Sequence, residues 1–374
     1  MPNIINISPS FKDDVLDTIQ GALPSIGNSS IETDAAWVEM QKILNEGVKA
    51  GSLFTAPILS TYGLVYTGSL AYFGGVLAPN GDIHFVPYNA DRGQKIAPNG
   101  TVSTYSLAYT TPAAYVGGVL APNGDIHFIP QNAVRGQKIA ATGIVSTYAL
   151  VYTIGAAYRG GVLAPNGDIH FIPYSADRGQ KVSASGVVST YALAYTTSAA
   201  YVGGVLAPNG DIHFIPYNAA RGQKISATGA VSTYSLAYTT GAAYQGGVLA
   251  PNGDIHFVPS SANRGQKISA ASIVSTYSIT YTNTSGAYFG GVLAPNGDIH
   301  FVPFNADRGQ RVSATGTVST YPLAFVGAYS GGVLDANGDI HFITLAASRG
   351  QKINKNSGTN FDIGVCLHSH FNKL

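Results

Sequence analysis

Gly117-Gly118-Val119-Leu120-Ala121-Pro122-Asn123-Gly124-Asp125-Ile126-His127-Phe128 reads as two short apolar runs joined by an Asn-Gly turn. The phrase recurs seven times. Its second glycine falls at Gly75, Gly118, Gly161, Gly204, Gly247, Gly291 and Gly332, at spacings of 43, 43, 43, 43, 44 and 41 residues. Asn-Gly between apolar runs is a strong hairpin signal, because both residues can adopt positive φ. Paired glycines suit a strand crowded against other backbone, as the innermost strand of a ring would be. Working outward, Arg135-Gly136-Gln137-Lys138-Ile139 reads as a third strand. The run Val145 to Tyr152 is a fourth, with Ser146, Tyr148, Leu150 and Tyr152 on one side. Four strands per unit of about 43 residues define a propeller blade, and seven copies predict an all-β, seven-bladed propeller.

The copies are out of phase at their ends. Inner-strand copies begin at Gly74, whereas outer-strand copies begin earlier, at Leu59-Ser60-Thr61-Tyr62, so the seventh blade lacks its own outer strand after Ile353. The segment Leu59 to Thr67 is expected to supply it. The competitor is Phe361-Asp362-Ile363-Gly364-Val365-Cys366-Leu367. The chain divides into an N-terminal helical attachment segment (1–55), the propeller (56–355) and a C-terminal tail (356–374). In the first segment, Phe11, Val15, Leu16 and Ile19 form one apolar stripe and Trp37, Met40, Leu44 and Val48 another. Two such helices are too short for a core of their own. Phe11, Leu16, Trp37, Met40 and Leu44 are therefore the candidate partner-docking residues.

Composition narrows the function. With a formal charge of +1 and 10% charged residues, the chain lacks the basic stripe of a nucleic-acid binder. One cysteine, Cys366, leaves no intrachain disulfide. No signal peptide and no membrane-spanning run are visible, so synthesis in a cytoplasm without membrane insertion is expected. Twenty of the 23 tyrosines occupy three recurring positions, typified by Tyr105, Tyr109 and Tyr115, which suits packing between blades. Seven histidines (His84 and its equivalents) and seven arginines before Gly-Gln are equally regular. Catalysis needs different groups converging on one point, so we expect a hydrogen-bonded structural histidine between blades and an arginine bound to loop carbonyls or to the hairpin aspartate. Metal binding needs three or more converging ligands, and the repeat offers only His and Asp. Asp335-Ala336-Asn337-Gly338-Asp339 opens like a calcium loop but lacks the distal Glu. No metal or cofactor is expected.

Positions that vary between blades carry more information about recognition than the fixed ones. They are the loop after the second strand and the residue before each double glycine, and loops on one face are where such rings bind. Tyr88, Asn89, Asp91, Tyr174, Tyr217, Phe304, Arg159 and Gln245 are the ligand-binding candidates on that ground; neutral drift on exposed loops is the alternative. An enzyme would need one blade with unusual polar residues, and the clear departures are Asp335 and Arg159.

The repeat VSTYSLAYTT…AYVGGVLAPNGDIHFIP…RGQKI, from Val102 to Ile139, resembles propeller repeats encoded in genomes of tailed bacteriophages, and is similar in style to kelch-like and tachylectin-like propellers. That resemblance implies a non-enzymatic virion structural protein, tail- or fibre-associated. The propeller would be displayed for host adhesion or particle decoration, and the N-terminal segment would bind other virion proteins. His368-Ser369-His370 is similar to the His-x-His pairs at the iron-binding tips of phage spikes. A soluble lectin-like ring binding a host-surface glycan is the alternative, and self-association is compatible with both.

Overall fold

The computed structural model describes residues 57–283 and 285–355. Phe11, Leu16, Trp37, Met40 and Leu44 with their two expected helices, the competing strand at 361–367, and His368 and His370 all lie outside the described residues. The first blade consists of β2 (Tyr72–Leu77), β3 (Ile83–Pro87), β4 (Arg92–Ile96) and β5 (Val102–Ser106), paired antiparallel in that order. Five further blades repeat the order, and the seventh is composite. Its strands Tyr329–Leu334, Ile340–Thr344 and Gly350–Ile353 are completed by β1 (Leu59–Tyr62), with Leu59 opposite Ile353 and Tyr62 opposite Gly350. The expected closure through Leu59 is the one observed.

Each hydrophobic cluster is shared by two blades. Tyr115, Ile126 and Phe128 of the second blade pack with Val76 and Val86 of the first, and Val333 and Ile343 of the seventh pack with Tyr72 and Phe85 of the first. Phe128 and Tyr115 are fully buried, each contributing about 1.5–3 kcal/mol of apolar transfer. The paired glycines do two jobs. A Cβ on Gly160 would sit 2.9 Å from the Gly203 Cα, so the first glycines converge about the axis, at positive φ. A Cβ on Gly161 would meet Ile129 of the preceding blade. The inner strand also bulges between Tyr158 and Gly161, as a positive-φ glycine allows.

Four details differ from the sequence reading. The Asn-Gly turn is not the two-residue type with both φ values positive. Gly124 N–H donates to the Ala121 carbonyl, and only Gly124 takes positive φ (84°), because Pro122 at the first central position is fixed near −65°. The outer strand of the second blade stops at Ala149 instead of running to Tyr152. There the Gln180 side chain of the next blade accepts the N–H groups of Val151 and Tyr152, at 3.0 and 2.8 Å. Equivalent fully buried glutamines latch the other blade junctions, Gln351 through a single bond to Phe325 N–H. The histidines bond within their own blade, not between blades: His84 Nδ1 lies 3.2 Å from the Tyr105 hydroxyl. Finally, Arg92 pairs with Asp91 of its own loop and covers the Tyr66 ring, while the hairpin aspartate Asp82 takes Lys95 instead.

Candidate functional site

The hairpin order gives the ring two distinct ends. One carries the loops after the second strand and before the inner strand; the other carries the Asn-Gly turns. The residue before each double glycine varies from blade to blade at the loop end, and Asp335 replaces the hairpin alanine at the turn end; these places hold chemistry that the repeat itself cannot supply.

At the loop end, the residues preceding the double glycines surround the axis over an apolar cavity of about 140 Å³. Of the candidate binding residues, Arg159 and Gln245 line this mouth, Tyr88, Tyr174 and Phe304 pack on the lining residues Phe73, Arg159 and Phe289, and Tyr217 contacts Tyr174. The three tyrosines outside the recurring positions are all here. The Arg159 guanidinium lies 4.0 Å from the Tyr174 ring centroid, and its Nε donates to Gln131 Oε1 at 3.2 Å. Phe289 stacks on Phe304 at 3.8 Å, and Phe73 contacts both Phe289 and Tyr88. Asn89 and Asp91 are placed otherwise. Asn89 Oδ1 accepts from Ala113 N–H at 2.8 Å, bracing a positive-φ residue of the next blade's entry loop, and Asp91 is held by Arg92 on the exposed rim.

At the turn end, the six equivalent histidines of blades one to six are buried and pushed down to about 4 by desolvation, so they are neutral at pH 7. Blade seven differs at two hairpin residues, with Asp335-Ala336 where the others carry Ala-Pro. Where the other hairpins carry alanine, as at Ala78 and Ala121, this one has Asp335. Its Oδ1 accepts the N–H groups of Asn337 and Asp339, at 2.9 and 2.8 Å, a cap supplied elsewhere by the turn asparagine, such as Asn123 to Asp125 N–H. That leaves Oδ2, which sits 3.3 Å from His341 Nε2, while His341 Nδ1 faces the Tyr62 hydroxyl at 3.3 Å. Burial lowers the His341 pKa, Asp335 acts to raise it and Lys352 to lower it, and the net position is below the usual imidazole range. The pair and Lys352 line a cleft of about 180 Å³ between the seventh and first blades.

Asp335, Asp339 and His341 cluster closely enough to resemble a metal site, but their atoms are committed. Asp339 takes the Lys352 ammonium on one oxygen at 2.5 Å and the Lys355 N–H on the other at 2.8 Å. Only Asp335 Oδ2 and His341 Nε2 remain, beside a lysine cation, which is short of the three or four ligands a tetrahedral site uses.

No family model and no curated protein matches the chain. Among solved structures it is similar to streptogramin B lyase, with a TM-score of 0.71 and 21% identity over 81% of this chain and 99% of that one. It is also similar to a catalytically inactive histidine-to-alanine variant of virginiamycin B lyase from Staphylococcus aureus with quinupristin (TM-score 0.70, 18% identity, 79% and 98% covered). A third likeness is to Kuenenia stuttgartiensis hydrazine synthase (TM-score 0.61, 10% identity, 78% and 98% covered). At these identities the likeness establishes the seven-bladed fold. It also corrects two expectations. These three structures, matched along almost their whole length, are named as enzymes, against the non-enzymatic expectation, and none of the three is a phage component, so the virion role drawn from the repeat resemblance is withdrawn.

Proposed function

We propose that the chain is an enzyme of the lyase type that takes up a substrate proton at the turn end of the ring, on the Asp335–His341 pair. One observation carries this reading: of seven histidines in near-identical hairpins, His341 has a carboxylate on Nε2. With Asp335 ionised, Nε2–H donates to Oδ2, and Nδ1 accepts from the Tyr62 hydroxyl, which burial keeps protonated. The pair then holds one negative charge on the wall of the cleft. A proton on a substrate carbon moves to Asp335 Oδ2, the C–H bonding pair forms a C=C bond, and the β leaving group departs with its own bonding pair, while His341 and the two turn N–H groups fix the carboxylate. The Lys352 ammonium lines the same cleft and, although paired with Asp339, has further N–H donors for the departing group. The volume suits a small substrate or one group of a larger one. The fold shared with lyases, one of them inactive without a single histidine, supports the assignment.

The test uses quinupristin and a panel of small carbonyl compounds bearing a leaving group β to an acidic C–H, followed by mass spectrometry. The full chain is expected to yield an elimination product. Asp335→Ala should lose about 100-fold or more, as general-base removal does; His341→Gln should also lose turnover, because it takes away the donor that holds the carboxylate, whereas His127→Gln should keep it. Asp335→Ala restores one of the two residues that set this hairpin apart and also removes the cap on Asn337 and Asp339, so circular dichroism of the variant is read beside its turnover to separate lost folding from lost chemistry. Turnover should fall as acidity protonates His341, at a pH below 6.5. Equal activity of His341→Gln and His127→Gln would refute the assignment.

A further inference from the structure

The mouth at the loop end plays no part in that proton transfer, and its two sides have opposite chemistry. On one side, Phe289 of the sixth blade and Phe73 of the first meet with ring centroids 6.2 Å apart. They can do so because the residue between them, in the seventh blade, is the small, buried Ser330, whose hydroxyl donates to the Tyr72 carbonyl. On the other side, in the third blade, stands the half-buried Arg159. It stacks on Tyr174, and among the described residues it has no carboxylate partner. A cation at such a site gains from an anionic partner, because a charge-assisted bond there is stronger than a neutral one.

We propose that the loop-end mouth binds a small aromatic carboxylate, with its ring against Phe73 and Phe289 and its carboxylate on the Arg159 guanidinium. Three observations bear on the class of ligand. The cavity of about 140 Å³ is close to the volume that accepts one benzene ring in a protein interior. Stacked and tilted aromatic side chains favour a planar partner. Arginine presents in-plane donors suited to a carboxylate; stacking on Tyr174 fixes the plane and Gln131 takes Nε–H, so the terminal amino groups, which have no partner among the described residues, are the donors for the ligand. The repeat sets the control, since Val116 and Val202 occupy the Arg159 position in the flanking blades, so valine there is compatible with the fold.

The experiment is titration calorimetry of the full chain with phenylacetate and with its neutral isostere phenylacetamide. Phenylacetate is expected to bind about ten-fold or more tightly than the amide, one charge-assisted contact's difference. Arg159→Val should abolish that difference, and Phe289→Val should weaken both ligands. Equal binding of acid and amide, no binding of either, or an unchanged preference in Arg159→Val would overturn the proposal. Because the site lies at the end opposite Asp335, either result stands apart from the turnover tests on His341.

Discussion

The ring is expected to unfold cooperatively as the pH falls from 6.5 toward 4, before its carboxylates titrate. His84, His127, His170, His213, His256 and His300 are each pushed down to about 4 by burial, whereas an unfolded histidine takes its proton near 6.5. Below pH 6.5 the unfolded chain therefore binds protons that the native ring refuses. The stability these groups provide is complete above 6.5 and is lost as pH falls toward their native values. Each is worth about 3 kcal/mol by pH 4, and six together about 8 kcal/mol for every pH unit. That exceeds the usual net stability of about 5–15 kcal/mol before pH 4 is reached. Burial works against the charge of the hairpin aspartates Asp125, Asp168, Asp211, Asp254 and Asp339, but their lysines and backbone donors prevail and hold them below the ordinary value. Their contribution fails only below about 3.8, after the histidines have acted. Far-UV circular dichroism against pH, with urea midpoints at pH 7 and 5.5, measures the effect. A ring still folded at pH 4 would contradict six buried neutral imidazoles.

The second large effect is expected at the closure. Tyr62 lies opposite Gly350, and its ring covers that glycine so closely that any Cβ there would collide with it. Its hydroxyl reaches His341. Tyr62→Ala should cost about 3–5 kcal/mol, the range for losing a packed aromatic side chain. Tyr148→Ala removes the same kind of contacts, to Gly136 and His127, from a blade whose four strands are consecutive, and should cost a similar amount. The two variants should differ in hydrogen exchange. Only Tyr62→Ala is expected to free the amides of Gln351 to Ile353 by local opening, because no turn joins β1 to the strand it pairs with, and Tyr62 supplies much of the side-chain contact that holds it there. Equal protection of those amides in both variants would show that the ring is closed by something other than this strand.

The fold was legible because its determinants are local and repeated. The double glycine, the Asn-Gly turn and the alternating outer run each fix a strand or a bend, and the phase difference between Gly74 and Leu59 implies the composite blade. What escaped depends on residues meeting across blades. The glutamine latch was visible only as an unremarked letter in Arg-Gly-Gln, because its partners lie 28 or 29 residues away in the preceding loop. Asn89 was read as a binding residue from its variability, yet its amide braces Ala113. Asp335 and Arg159 stood out as departures from the repeat, but not for what they contact. The register could have helped with Asp335: Val333 faces His341 across the hairpin, which sets Asp335 diagonal to His341 on the same face, within reach of a side-chain contact. The virion reading rests mainly on the resemblance of the repeat and on the missing signal peptide, and repeat residues such as Phe128 and Gln137 encode packing, not activity.

Of the seven hairpin histidines only His341 meets a carboxylate at Nε2, and ring nitrogen-15 correlation spectra of the labelled chain at pH 7 address that directly. Among the seven hairpin histidines, the account predicts one distinct imidazole, protonated at Nε2 and shielded from exchange by Asp335, that joins the pattern of the other six in Asp335→Ala. Seven equivalent imidazoles, or a distinct one that survives Asp335→Ala unchanged, would contradict it.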